Sequence, residues 1–206
     1  MLTLADERQR RLVLDSLLLG LIGAIAAQLF TFLLELAQEL FLLDIAGYAP
    51  PGLPTEGGTL VATIGSRGLW LIPVVTTLGG LIAGVLVYTL APEAEGHGTD
   101  SAVKAFHRTG GLIRGRVPLL KMVASAITIG SGGAAGREGP TALIASGFGS
   151  VYATVRKRSE DERRLLVLIG MAAGLSAIFR TPIGAAIFAI EVLYSDMEFE
   201  TSALLY

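Results

Sequence analysis

Uncharged stretches along this chain come in two lengths, and the change falls near its middle. Leu17 to Leu34 holds no charge, and the apolar pattern continues past Glu35 and Glu39 to about Leu43, which predicts a first helix long enough to cross a bilayer at a tilt. Trp70 to Leu90 is a second uncharged run with an interfacial aromatic at its start. Pro73 falls in its first turn, and Gly80 and Gly84 put two small residues on one face for close helix contact. Val117 to Ala135 returns through the membrane, with Lys121 near the basic side and able to snorkel. Later runs are shorter: Thr141 to Val155, Leu165 to Phe179 and Thr181 to Ile190 all fall below the roughly 20 residues of a full span. Short, glycine-interrupted helices in a membrane imply broken or re-entrant segments around a site. Between these elements, Asp44 to Gly68 reads as a Gly- and Pro-rich loop, Thr99 as the cap of a short helix through about His107, and Thr181-Pro182 as a helix start.

Composition agrees with that pattern, since 52% of the 206 residues are hydrophobic, only 17% are charged and the mean hydropathy is +0.63. The expected class is an all-α integral membrane protein. A net charge of −2 gives no global basic surface for nucleic acid, and without cysteine neither disulfides nor thiolate chemistry arise. His97 and His107 lie ten residues apart with no carboxylate pair to complete a metal set, so neither metal nor cofactor is expected. Basic residues cluster at Arg8, Arg10 and Arg11, at Lys104 to Arg116, and at Arg156-Lys157-Arg158, separated by even numbers of crossings. The positive-inside rule then predicts a multi-pass protein of the plasma (inner) membrane, with a cytoplasmic N-terminus that is not a removable signal and with Asp44 to Gly68 outside.

The candidate chemistry lies in Gly130-Ser131-Gly132-Gly133-Ala134-Ala135-Gly136-Arg137-Glu138-Gly139-Pro140. Glu138 is an ionisable group between two uncharged runs, a placement that points to function. Glycines let the backbone turn, Pro140 suits a first helical turn, and the resulting helix start would present unpaired amides to an anion. A carboxylate at that spot would compete with the anion. The structural alternatives are an ion pair with Arg137 or a simple cap, but adjacent residues rarely face each other and a cap does not explain the glycines. Gly130, Gly132 and Ala135 match a dinucleotide loop only in outline, lacking the strand and the acidic partner. An embedded enzyme using Glu138 as acid or base lacks a nearby His, Ser or carboxylate, so no enzymatic role is expected.

Gly136-Arg137-Glu138-Gly139-Pro140 resembles the signature of the CLC chloride channel and transporter family. Gly96-His97-Gly98-Thr99-Asp100, Gly170-Met171-Ala172-Ala173-Gly174, Phe179-Arg180-Thr181-Pro182-Ile183-Gly184 and Phe188-Ala189-Ile190-Glu191 follow the family's order. The resemblance implies that residues 1–206 form the N-terminal half of a two-half anion pathway for chloride or a similar small anion, homodimeric at full length, with the second half absent. It implies Glu138 as gate, with anion contacts from His97, Gly98, Thr99 and Gly139 and positive potential from Arg137. The family usually has a small hydroxyl residue where His97 stands. Two readings follow: an imidazole N–H joins the site, or the ring points to the cytoplasm and backbone amides do the binding. Glu191 resembles a structural position, and Val192 stands where proton-coupled members carry a relay glutamate, so a channel is expected ahead of a proton-coupled antiporter.

Overall fold

The computed structural model describes residues 2–51, 61–65 and 69–203, with side chains placed at 10–51, 61–65 and 69–194. Much of the Gly- and Pro-rich loop, the Arg8 side chain and Tyr206 lie outside the described residues. Helix α1 (Leu2–Gln38) continues through a π-type segment (Glu39–Ala46) that ends at Gly47, whose positive φ of 69° stops the helix. The apolar part of this element, Arg10–Ala46, has 37 residues. At 1.5 Å per residue it reaches roughly 55 Å, well beyond a hydrocarbon core, and must tilt steeply or project. The loop that follows carries a two-residue antiparallel ladder, β1 (Tyr48–Ala49) with β2 (Thr63–Ile64), which the Gly and Pro content gave no reason to expect.

Helix α2 (Leu71–Leu90) is the second helix long and apolar enough to cross a membrane. A 3₁₀ turn (Pro92–Ala94) leads to α3 (Thr99–Arg108), and α4 (Arg116–Gly130) returns to the glycine-rich loop. Helix α5 (Glu138–Val155) starts at the residue the sequence singled out, and α6 (Glu160–Phe179) and α7 (Pro182–Ala203) follow. The last two exceed their uncharged runs because both helices continue through charged ends, and α6 gains the Ser159 hydroxyl as an N-cap bonded to the Glu162 amide. The helices around the site that are shorter than a full span are therefore α3, α4 and α5, of 10, 15 and 18 residues.

Helix α5 is the axis of the packing, and every residue from Gly139 to Gly147 is buried. Its contact with α6 is made by small residues four apart on both helices. A methyl on Gly170 would stand 2.5 Å from the Ala145 carbonyl oxygen, and one on Gly149 would collide with that of Leu166. Lipid tails are as apolar as leucine, so helix association in a bilayer depends on such close backbone approach. Leu143, Val167, Met171, Leu175, Ala189 and Leu193 build the main core, while Phe30 of α1 packs with Met122 and Ile144. Leu17, Leu21 and Ile25 of α1 and Leu78, Leu81 and Val85 of α2 face outward, as a lipid surface permits. Among the described residues the close contact expected for Gly80 and Gly84 is not made: added methyls there would meet nothing within 4 Å, and Gly79, pressed against Ser131, makes the tight contact.

Candidate functional site

The glycine-rich loop is held in place before it reaches Glu138. Ser131 is fully buried, its carbonyl accepts from the Thr76 hydroxyl at 2.8 Å, and its own hydroxyl donates to the Thr128 carbonyl at 3.1 Å. Gly132 at φ 100° takes a backbone turn that a side chain would strain, and Gly133 N–H donates back to Thr128 at 2.9 Å. From there the amides of Gly136, Arg137, Glu138 and Gly139 find no hydrogen-bond partner among the described residues, and Pro140 has none to offer. The Arg137 carbonyl is occupied, accepting from both the amide and the hydroxyl of Thr141. What remains open is a row of N–H donors at the positive end of an 18-residue buried helix.

Glu138 is exposed, and its carboxylate folds back over Gly136. It forms no ion pair with Arg137 and no side-chain cap among the described residues, so both structural alternatives lack a contact to rest on. The loop after α2 comes to the same place. Gly98 has φ 115°, and a methyl on it would lie 2.6 Å from the Gly139 carbonyl oxygen and 3.2 Å from Lys121 Cε. The His97 ring lies against Gly139 itself, and Thr99 Oγ1 stands 3.4 Å from His97 Nδ1. Thr99 opens α3 as its first helical residue, whereas the expected capping role falls to Gly98, with no side-chain bond. His97, Gly98, Thr99 and Gly139, separated by about forty positions in sequence, thus form one cluster.

Lys121 was misread. It is 5% exposed, it does not snorkel, and its Nζ donates to the carbonyls of Ala94 at 3.2 Å and Gly96 at 2.5 Å. Among the described residues no carboxylate pairs with it, so its charge is met by dipoles alone. A cavity of about 270 Å³ opens beside it, lined on one side by His97, Gly136 and Pro140 and on the other by Gly80 and Gly84 of α2. The signal available in sequence was a lone lysine five residues inside an apolar run, which fits snorkelling and burial equally well.

Arg137 lies elsewhere. Its side chain lines a separate cavity with α1 and α6 and shares none of the lining of the first. Val192 is half-buried on α7, Glu191 beside it is exposed, and α7 reaches α3 through an edge contact of Phe106 with Tyr194 at 5.3 Å between ring centroids. Glu93, outside the spanning segments, bridges Arg114 and Arg116 at 3.3 Å each. Its carboxyl is held below the ordinary value by a bond from its own backbone amide, opposed by desolvation and helped by Arg116. That contribution to stability is present above the ordinary carboxylate range and fades as pH falls through it. No group of three or more acidic or histidine side chains able to hold a metal occurs among the described residues.

A sequence profile described as voltage gated chloride channel matches residues 79–206, which include the whole cluster. The chain is 32% identical over 193 residues to the voltage-gated ClC-type chloride channel ClcB of Yersinia pseudotuberculosis, covering 91% of this chain and 43% of that protein. It is 30% identical over 190 residues to ClcB of Escherichia coli O81, covering 91% and 42%. The chain therefore spans less than half the length of the curated relatives it matches. With open amides, a carboxylate and a buried lysine gathered at one helix start, and with both profile and relatives in agreement, the chain belongs to the voltage-gated chloride channel family.

Proposed function

We propose that this chain forms the N-terminal half of a transmembrane pathway for chloride or a similar small anion, with Glu138 as its gate. The observation that supports this most is the row of unpartnered amides from Gly136 to Gly139 beside a buried lysine. An anion entering there exchanges water for N–H donors and helix dipole, and the Lys121 charge, already bound to two carbonyls, attracts without clamping. Glu138 carries the same charge as the anion and competes for the same donors. Protonation would release it and open the route. His97 adds a ring nitrogen at the inner loop, Gly98 and Thr99 shape that loop, and Arg137 adds positive potential from its neighbouring cavity. Val192, apolar where a relay would need a titratable group, favours a channel over a proton-coupled antiporter. The polypeptide enters from the cytoplasm, lies in the plasma membrane and works with a C-terminal half, as a homodimer at full length.

The test is chloride efflux from liposomes holding the full-length protein with Glu138→Gln. The amide cannot titrate, so efflux is expected to rise and lose most of its pH dependence. A mutant that keeps the wild-type pH profile would remove Glu138 from the gate.

A further inference from the structure

The second cavity, about 320 Å³ between α1, the start of α5 and the end of α6, is lined by Gln28, Thr31, Glu35, Arg137, Ile178 and Arg180. It differs from the first in chemistry. Two arginines line one space, Arg137 half-buried and Arg180 exposed, and among the described residues neither forms a side-chain hydrogen bond or ion pair, with Glu35 or with anything else. Arg180 is placed there by its backbone. It closes α6 in the left-handed conformation, at φ 56° and ψ 30°, where glycine is usual, and its amide donates to Ser176. The volume corresponds to roughly ten waters, enough for a polyatomic anion with part of its shell. A guanidinium presents its donors as a planar fork, which matches the paired oxygens of an oxyanion better than a spherical halide.

We infer that Arg137 and Arg180 form a binding site for a phosphate-type oxyanion, separate from the chloride route. Glu35 sets its strength, because its charge opposes the ligand in the same cavity. The ligand is either dissolved phosphate or the headgroup of an anionic lipid lying against α1.

The experiment is thermal unfolding of the full-length protein, which reads binding and does not depend on whether Glu138 gates. In phosphatidylcholine nanodiscs, inorganic phosphate is titrated at fixed chloride and ionic strength; in a second arm phosphatidylglycerol replaces half of the lipid without phosphate. Wild type is expected to unfold at a higher temperature with phosphate, or with phosphatidylglycerol, and the responding arm names the source. Arg180→Gln should abolish the shift, Arg180→Lys should restore only part of it, and Glu35→Gln should lower the half-saturating concentration severalfold. The Glu35 variant keeps both arginines and so tests the site even where Arg180→Gln folds poorly. No response of wild type in either arm, or equal responses of wild type and Arg180→Gln, overturns the site.

Discussion

Lys121 and Gly136 line one cavity, and the Glu138 carboxylate is folded over Gly136. Neither Lys121 nor Glu138 has a counter-ion among the described residues. With an anion held roughly 8 Å from the ammonium and an effective dielectric near 20, the attraction is about 2 kcal/mol. Lys121→Met keeps much of the volume and removes that term, so anion flux through the full-length protein should fall roughly 30-fold, at about 1.4 kcal/mol per tenfold. Liposome efflux measured against Lys121→Arg checks this, since the arginine variant retains the charge. Equal losses in both variants would mean that Lys121 matters only for holding Ala94 and Gly96.

At the level of elements, the site depends on how closely α5 lies on α6. Gly149 and Gly170 sit where backbone meets backbone, and a side chain there forces the helices apart. Gly149→Leu should destabilise the full-length protein by roughly 2 kcal/mol or more, the scale of overpacking in a tight core, and lower its unfolding temperature in detergent. The same change should weaken chloride binding, because the start of α5 moves with the helix. Gly20 of α1, which meets nothing within 4 Å, supplies the comparison: Gly20→Ala should leave stability unchanged or slightly raised. On the proposed channel reading, Val192, half-buried on α7, puts an apolar side chain at the relay position, and Glu191 beside it is exposed. Full-length protein in liposomes under a chloride gradient should therefore show no proton movement against its own gradient, and uphill proton flux in that assay would falsify the channel reading.

On the scale of the whole molecule, a polar tie joins the first helix to residues beside the α5–α6 turn. Asp15 of α1, 5% exposed, accepts from Tyr152 Oη at 2.6 Å and from Arg158 Nη2 at 2.5 Å, fastening the first helix to the turn between α5 and α6. Removing Asp15 leaves Arg158 with only the more distant Glu162 at 3.9 Å, and removing Arg158 leaves the buried Asp15 charge with the Tyr152 hydroxyl. Asp15→Ala and Arg158→Ala should each cost on the order of 3 kcal/mol, with the double variant well short of the sum, as a thermal-unfolding double-mutant cycle would show. Gly80 and Gly84 of α2 line the first cavity, and methyls added to them would meet nothing within 4 Å among the described residues.

Much of this was legible in sequence, for a physical reason. Hydropathy and glycine placement act locally, so the membrane class, the long α1, the long apolar α2 and the start of α5 at Glu138 could all be read from runs of neighbouring residues. The same holds for the lone carboxylate within an apolar stretch. The fate of Lys121 could not, because snorkelling and burial differ only in whether two carbonyls from a loop 25 to 27 residues away reach its ammonium. Which glycines make contacts was equally hidden. Gly79, Gly80 and Gly84 are alike on a helix until its rotation is set by packing, and that rotation put Gly79 on Ser131 and left the others open. Arg137 and Arg180 lie 43 positions apart, and nothing in either neighbourhood announces the other. They share a cavity only because α5 and α6 cross closely enough for the start of one helix to meet the end of the next.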